Sequence, residues 1–310
     1  MRTTDTPPTR TTGPTSVAPL HLLLALLLVA VWGTNFVVIH VGLQRFPPLL
    51  FGGLRFTLAA LPMVFILRRP AVRWWSLAAY GTLAGSGQFG LLFYAMQHDI
   101  SPGLASLIVQ MQVFITVGLS VLIDRETVKP YQLFAMLLAA VGLVIIALSR
   151  SAAATPFGID LVLLAAASWA GSNLVVKHAG APGMNMVAYI VWSSLFSAPV
   201  LLGLALATEG GTTALHAITH ADAPAWLALV WQSAANTLFG YSAWAWLLTR
   251  YPAATITPVA LLIPVFGLGA SAVALGEPLP LWKVIAVLLV LAGLAVNLLW
   301  PRWQRGRGGM

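Results

Sequence analysis

The stretch "WGTNFVVIHVG" at residues 32–42 places threonine, asparagine and histidine inside an otherwise apolar run. A second stretch, "WAGSNLVVKHAG" at residues 169–180, repeats it almost residue for residue, and Asn173 there matches Asn35. One polar interruption of a hydrophobic segment has little meaning by itself. Two matching interruptions indicate that the chain contains a duplicated unit.

The composition is that of a membrane protein. Of the 310 residues, 59% are hydrophobic and 8% are charged, whereas a soluble globular chain carries about 25% charged residues. Apolar segments of about 20 residues, long enough to cross a bilayer as helices, recur along the chain. We therefore predict an all-α polytopic membrane protein with ten transmembrane helices, at about 18–41, 49–67, 74–96, 102–122, 131–148, 158–177, 186–207, 225–248, 253–275 and 282–300.

The positions of the basic residues predict the orientation. The net charge is +8, but in a membrane protein the side on which each charge lies matters more than the sum. With a cytoplasmic N-terminus, three basic residues face outward, Arg45, Arg150 and Lys283, and Arg55 lies within a span. Twelve face inward: Arg2, Arg10, Arg68, Arg69, Arg73, Arg125, Lys129, Lys177, Arg250, Arg302, Arg305 and Arg307. Both termini are therefore expected in the cytoplasm, and we expect no nucleic-acid partner.

The duplication extends over five helices in each half. Aligned on the two asparagines, Pro62 falls near Pro199, and further matches follow at Phe89-Gly90 with Phe239-Gly240, Pro102 with Pro252, Glu126 with Glu277, and Gly142 with Gly293. We predict repeats at 18–149 and 157–300, with a disordered cytoplasmic tail at 1–17 and a basic cytoplasmic tail at 301–310. Because five is odd, the second repeat must be inverted in the membrane.

The charges support inversion independently. The first repeat carries Arg68, Arg69 and Arg73 after its second helix, and the second repeat has no basic residue there. Conversely, Arg250 follows the third helix of the second repeat only. Inverted repeats are a recurrent build of secondary transporters, whose substrate site lies between the halves. The alternative is a membrane enzyme or assembly factor with an ancestral duplication.

Five segments in order resemble the EamA branch of the drug/metabolite transporter superfamily. They are "VWGTNFVVIHVGL", "PPLLFGGLRF", "GLASLIVQMQVFITV", "LLTRYPAATITPVALLIPVFGL" and "LAGLAVNL". The resemblance covers residues 20 to 300 and is strongest to bacterial exporters of cysteine and O-acetylserine. It implies a five-plus-five inverted-repeat exporter of amino acids or related metabolites in the bacterial inner membrane, working by alternating access. One departure is His40, where these exporters have lysine; Lys177 occupies the adjacent position in the second repeat.

Three polar residues within spans are the first candidates for substrate contact. Asn35 and Asn173 are symmetry mates, whose amides either bind substrate or join helices, the latter contributing about 0.6 kcal/mol each. Arg55 matches the geometry of a substrate carboxylate. Its alternatives are snorkelling toward the interface and pairing with a carbonyl or glutamine.

Four further polar residues lie in helices three, four and eight. Gln110 and Gln112 point about 200° apart, so we expect one to line the pathway and the other to bridge helices. Gln88 and Asn236 lie in symmetry-related helices three and eight. All four are predicted substrate contacts.

Aromatic residues and prolines complete the predicted site. Tyr241 and Trp244 share a helix face and form either an apolar wall of the cavity or ordinary core packing. Pro258 and Pro264 each remove a backbone donor in helix nine, which favours either a gating bend or simple packing. The glycines of "GTLAGSGQFG" in helix three predict close helix approach.

Several classes of chemistry lack their residues in the sequence. There is no phosphate-binding G-x-x-x-x-G-K-[ST] motif, no cysteine and no H-E-x-x-H spacing, so we expect no ATP hydrolysis, metal, cofactor or enzymatic activity. No carboxylate lies at mid-membrane depth, which favours facilitated efflux or exchange over proton coupling. A small-molecule substrate and membrane lipids are the expected partners, and the oligomeric state stays open. The alternative within the superfamily is a multidrug or quaternary-cation exporter.

Overall fold

The computed structural model describes residues 17–100, 102–148, 154–180, 183–276 and 280–307. Most of the predicted N-terminal tail and Glu277 lie outside these residues. Ten helical segments follow one another: α1 Pro19–Leu43; α2 Pro48–Val64; α3 Trp74–Tyr80, Gly81–Gly90 and Leu91–His98; α4 Pro102–Ile108 and Met111–Asp124; α5 Pro130–Leu148; α6 Pro156–Ala179; α7 Met186–Thr208; α8 Ala223–Trp231, Gln232–Tyr241 and Ser242–Leu248; α9 Ala253–Ile256, Thr257–Leu262 and Ile263–Leu275; α10 Leu281–Arg307.

The all-α fold with ten helices is confirmed, and the differences lie between and beyond the spans. A further short helix, Gly211–His220, occupies the segment between α7 and α8 that the sequence predicted as a loop. It buries Ala214 and Ala217 against the bundle. At ten residues it is too short for its apolar face to be recognised as a span. The last helix also continues through Arg307, beyond the predicted end at 300.

The exterior of the bundle is apolar. Leu20, Phe65 and Val273 are 72%, 85% and 90% exposed, as expected for side chains that face lipid rather than water. Within the described ranges, five helical stretches are long and apolar enough to cross a membrane, by length and composition: Pro19–Leu43, Leu104–Asp124, Pro156–Ala179, Met186–Thr208 and Ala253–Leu275.

Proline defines the start of half the helices. It occupies the first helical position of α1, α2, α4, α5 and α6, where its fixed φ suits the helix and its missing N–H removes no hydrogen bond. Three starts have side-chain caps, those of α6, α7 and α8. Thr155, Asn185 and Asp222 accept hydrogen bonds from the backbone N–H three residues later, at 3.0 to 3.1 Å.

Two helices are capped by carboxylates from the opposite repeat. Glu209, just after α7, accepts hydrogen bonds from the N–H groups of Leu49 and Leu50 at the start of α2, at 2.7 and 3.0 Å. Glu126, just after α4, accepts one from the N–H of Ala253 at the start of α9, at 3.1 Å. Burial raises the pKa of Glu209, and the two N–H donors oppose that shift. Each carboxylate therefore joins one repeat to the other at a helix N-terminus, where negative charge is favoured.

The helix contacts follow a twofold pattern. Helix α1 packs against α8 and α9, and its mate α6 packs against α3 and α4. The pairs α2 with α7 and α5 with α10 join a helix to its own mate. Exchange of the repeats leaves this set of contacts unchanged, as a pseudo-twofold axis between the two halves requires.

Glycines allow the closest of these approaches, as the sequence predicted. A Cβ on Gly81 would lie 2.1 Å from the carbonyl oxygen of Ser193 in α7, and one on Gly85 would lie 2.0 Å from Oγ of Ser197. Because both contacts are shorter than any real Cβ contact, α3 and α7 can pack at this distance only with glycine at the two positions.

We expect Gly81→Ala to destabilise the protein by roughly 1–3 kcal/mol, because the methyl group meets backbone and α3 must move away from α7. The measurement is the thermal unfolding midpoint of purified protein in detergent. Gly203→Ala is the matched control, since nothing lies within 4 Å of a Cβ at that position of α7. Equal midpoints for the two variants would show that the approach is not tight.

Candidate functional site

Four helices lose regular α-helical geometry in the interior of the bundle. In α3 and α8 the segments Gly81–Gly90 and Gln232–Tyr241 form wide π-helical turns, at symmetry-related positions. In α4 the helix breaks at residues 109–110, and in α9 the segment Thr257–Leu262 tightens into a 3₁₀-helix. π-Helical turns are rare and occur frequently at functional sites.

Side chains satisfy carbonyl groups at all four interruptions. The hydroxyl of Ser197 donates to Gly81 O in α3 at 2.7 Å, and the hydroxyl of Thr237 donates to Gln232 O in α8 at 2.8 Å. Gln110 Nε2 donates to Ser106 O in α4 at 3.3 Å. Non-helical backbone in a membrane is tolerated where protein groups or a cavity satisfy it, and these contacts meet that condition.

The prolines of α9 interrupt it in the same way. Pro258 has no N–H to donate to Ala254 O, and Gln132 Nε2 of α5 donates to that oxygen instead, at 3.0 Å. Pro264 lies at the start of the regular helix Ile263–Leu275. Pro258 therefore lies within the tightened segment and Pro264 just after it, and their gating role stays a prediction.

A central cavity lies among the interrupted helices, between the two repeats. The centre of a water-sized sphere can occupy about 30 Å³ of it, and the space between atoms there, open solvent included, is about 350 Å³. Five of the predicted site residues line it: Asn35, Gln88, Gln110, Asn236 and Tyr241. The other lining residues are Trp32, Phe36, Ile39, Phe89, Leu92, Val109, Trp169 and Ile263.

The polar groups of the cavity are only partly paired. Asn35 Nδ2 and Asn236 Nδ2 both donate to Gln232 Oε1, at 3.5 and 2.9 Å. Asn35 Oδ1, Gln110 Oε1 and Trp169 Nε1 are buried and have no partner among the described residues. Two acceptors and one donor on residues that line the cavity are thus unpaired among the described residues.

Aromatic rings form one wall of the cavity. The ring centroid of Trp32 lies 5.3 Å from that of Trp169 and 5.1 Å from that of Tyr241. Trp32 packs closely on Gly240, where a Cβ would lie 2.4 Å from its Nε1. The Tyr241 hydroxyl donates to Gln88 Oε1 at 3.0 Å and orients that amide. Such ring faces attract cations as well as apolar groups.

Three predicted substrate contacts lie beside the cavity and are bonded to one another. Asn173 Nδ2 donates to Gln112 Oε1 and to Thr116 Oγ1, both at 3.1 Å. Trp244 Nε1 donates to Asn173 Oδ1 at 2.9 Å. Gln110 therefore lines the cavity and Gln112 bridges helices, and the two asparagines that are mates in sequence have different surroundings.

Arg55 is not among the residues that line the central cavity. Its side chain is fully buried, and its Nε donates to Thr237 Oγ1 at 2.7 Å. Its Cζ lies 3.7 Å from the centroid of the Phe89 ring. A second, smaller cavity, in which the centre of a water-sized sphere can occupy about 10 Å³, is lined by Phe56, Tyr80, Gly81, Ala84, Gly85, Ile190, Ser193, Ser194, Ser197, Thr237 and Tyr241.

An ionic cluster closes the predicted inner side. Lys177 at the end of α6 pairs with Asp124 at the end of α4 and, at 2.6 Å, with Glu126. His178 Nε2 lies 2.6 Å from Asp124 Oδ1. Because Glu126 also caps α9, the cluster joins α4, α6 and α9 at one end. On the predicted outer side, Arg45 pairs with Asp222 and lowers the pKa of that exposed carboxyl.

Sequence analysis missed Gln232, the amide that joins Asn35 to Asn236. Its position within a predicted span, four residues before Asn236, could have identified it as a candidate. The π-helical turns could not be predicted from helix propensity or hydrophobic periodicity. Glycine, serine and asparagine score as weak helix formers, and this score does not distinguish a wide turn from a regular helix.

A ten-helix inverted repeat with interrupted helices around a central polar cavity defines the protein as a membrane transporter. The chain belongs to the EamA-like transporter family, whose sequence model matches residues 19–148 and 156–299. The resemblance predicted from the five sequence segments is thereby confirmed.

Two curated relatives match nearly the full length. A protein of Salmonella typhimurium (strain LT2) named "Probable amino-acid metabolite efflux pump" is 38% identical over 288 residues, 91% of this chain and 96% of that protein. A protein of the same name from Escherichia coli (strain K12) is 35% identical over 289 residues, with the same coverage of 91% and 96%. A crystal structure at 18% identity has the same fold, with a TM-score of 0.68 over 93% of this chain and 99% of that one.

The different surroundings of the two asparagines predict different effects on stability. Asn173→Ala leaves Trp244 Nε1 and a Gln112–Thr116 pair without their shared partner, and is expected to cost about 1–3 kcal/mol. Asn35→Ala loses one hydrogen bond of 3.5 Å and is expected to unfold within a few degrees of wild type. The thermal unfolding midpoints of the two variants in detergent are compared. An equal decrease in midpoint for both would contradict the different structural roles of the two asparagines.

Proposed function

We propose that the protein exports small amino acids or amino-acid metabolites of the cysteine and O-acetylserine type across the bacterial inner membrane. Transport proceeds by alternating access and without ATP. The names of two relatives with 38% and 35% identity support this substrate class. The membrane is the inner membrane, and both termini are cytoplasmic.

One observation carries the substrate class: the unpartnered amide oxygens Asn35 Oδ1 and Gln110 Oε1 belong to residues that line the central cavity. A buried carbonyl without a partner costs about 1–3 kcal/mol, so a ligand with N–H donors is favoured. An ammonium group supplies three such donors, and its charge is attracted by the faces of Trp32 and Tyr241. Trp169 Nε1 remains to donate to an oxygen of the same ligand.

The interrupted helices provide the movement. Helix α9 bends at its 3₁₀ segment between Pro258 and Pro264, beside the break in α4 at Gln110. Opening toward the cytoplasm requires the pairs of Lys177 with Asp124 and Glu126 to separate. Rocking of one repeat against the other about the cavity then exposes the ligand to each side in turn.

The second candidate is an exporter of quaternary cations or drugs, and the aromatic wall of Trp32, Trp169 and Tyr241 favours it. A quaternary ammonium has no N–H and would leave the two amide oxygens unpaired. Overexpressing cells separate the candidates. Tolerance of excess cysteine or other amino acids supports the proposal, whereas tolerance of cationic dyes alone supports the alternative.

Proteoliposomes test transport directly. Radiolabelled cysteine, O-acetylserine or another small amino acid is expected to cross without ATP, and Gln110→Leu is expected to reduce the rate about tenfold by removing an acceptor. Gln97→Leu is the matched control, since Gln97 is exposed on α3. Failure of the wild-type protein to move any compound of a broad amino-acid panel would exclude this substrate class.

Reporter fusions test the orientation. A fluorescent protein fused to the C-terminus is expected to be bright, because it matures in the cytoplasm. An alkaline phosphatase fused at the same place is expected to be inactive, because it does not reach its active form in the cytoplasm. A phosphatase fusion in the predicted outer loop between α7 and α8 should be active. The reverse pattern would overturn the inner placement of twelve basic residues.

A further inference from the structure

Arg55 is a buried positive charge whose two terminal nitrogens are unpaired. The residue is 0% exposed, and neither Nη1 nor Nη2 has a hydrogen-bond partner among the described residues. Only Nε is engaged, with Thr237 Oγ1 at 2.7 Å. The fork of two donors that suits a carboxylate is therefore vacant.

No acidic side chain in the described ranges compensates this charge. Of the eight acids in the sequence, Asp5 and Glu277 lie outside those ranges. The other six lie elsewhere: Asp124 and Glu126 with Lys177, Asp222 with Arg45, Glu209 at the start of α2, Asp99 with Thr155, and Asp160 exposed on α6. Because an unpaired buried charge costs several kcal/mol, a counter-charge from outside the chain would stabilise this arginine.

One ring separates the guanidinium from the central cavity. Arg55 Cζ lies 3.7 Å from the centroid of the Phe89 ring and 5.0 Å from that of Phe56. Phe89 also lines the central cavity, and Tyr241 lines both cavities. The ring face compensates the charge in part by a cation–π contact, but it offers no acceptor to the N–H groups.

Phe89 is the penultimate residue of the wide-turn segment Gly81–Gly90 of α3. Return of a π-helical turn to α-helical hydrogen bonding changes the angle between successive side chains, because the number of residues per turn falls. Such a change swings the Phe89 ring relative to α2, on which Arg55 lies.

We propose that Arg55 is a concealed carboxylate subsite of the central cavity: the ligand's carboxylate displaces the Phe89 ring and binds Nη1 and Nη2. The ligand's ammonium group binds Asn35 Oδ1 and Gln110 Oε1. This inference rests on the proposed function and narrows its substrates to compounds that carry both charged groups. A free amine or a free acid of the same size fills one half of the site only.

Three compounds with the same thiol test the subsite: cysteine, cysteamine, which lacks the carboxylate, and 3-mercaptopropionate, which lacks the amine. Each competes with radiolabelled cysteine in proteoliposomes of the full-length protein. For the wild type, cysteine is expected to bind about tenfold or more tightly than either analogue. For Arg55→Gln, cysteine loses that advantage over cysteamine, whose own affinity is unchanged. Arg45→Gln is the matched control, because Arg45 is exposed and pairs with Asp222. This variant is expected to keep the wild-type ratio of the affinity for cysteine to that for cysteamine.

Two results would overturn the subsite. The first is an Arg55→Gln variant that keeps the preference for cysteine over cysteamine. The second is an equal loss of affinity for all three compounds, which would indicate that Arg55 has a structural role. If the wild type moves no amino acid at all, the proposed function fails instead. If wild type transports and the ratio is unchanged in the variant, only the subsite fails.

A second variant keeps the test decisive if Arg55→Gln does not fold. Phe89→Leu removes the ring face and leaves Arg55 in place. Affinity for cysteine and for 3-mercaptopropionate is expected to rise about threefold or more, and that for cysteamine to stay constant, because only carboxylates gain from uncovering the fork. An equal change for all three compounds would contradict the proposal.

Discussion

Hydrocarbon offers the backbone no hydrogen-bond partner, and every part of this structure depends on that constraint. Ten helices satisfy it by their own geometry. Where α3, α4, α8 and α9 depart from regular α-helix, Ser197, Gln110, Thr237 and Gln132 bond to carbonyls at the interruptions. Residues of three of these interrupted segments line the central cavity: Gln88 in α3, Gln110 in α4 and Asn236 in α8. The cavity thus lies where the helices do not satisfy all of their own backbone groups.

Duplication created two equivalent helix sets, and packing made them chemically different. Asn173 is enclosed by Gln112, Thr116 and Trp244, so its amide is consumed within the protein. Asn35 keeps a free oxygen at the cavity. Inverted repeats let a transporter open to either side of the membrane. The two asparagines, which match in sequence, nevertheless differ in their hydrogen bonds.

The charged side chains are of two kinds, those at the helix ends and the one in the interior. The acidic side chains Asp124, Glu126 and Glu209 join helix ends near the two surfaces, where they hold the repeats together. The interior of the described chain has one cation, Arg55, with no acid beside it. The scaffold gains no stability from an unpaired charge, and for this reason we propose Arg55 as a residue that selects the substrate.

The sequence by itself determined the membrane class, the ten helices, the inverted duplication and the family. The reason is that the length of each apolar segment, the loops that carry basic residues and the repeated motifs are local properties of the chain. Among the polar residues of the predicted spans the sequence also named five that line the cavity, Asn35, Gln88, Gln110, Asn236 and Tyr241. Only the tertiary structure separated Asn35 from Asn173 and Gln110 from Gln112, added Gln232 and the short helix Gly211–His220, and placed Phe89 over Arg55. The reason is physical: the role of a buried polar atom is set by the atoms that satisfy it, and those come from helices far away in the sequence.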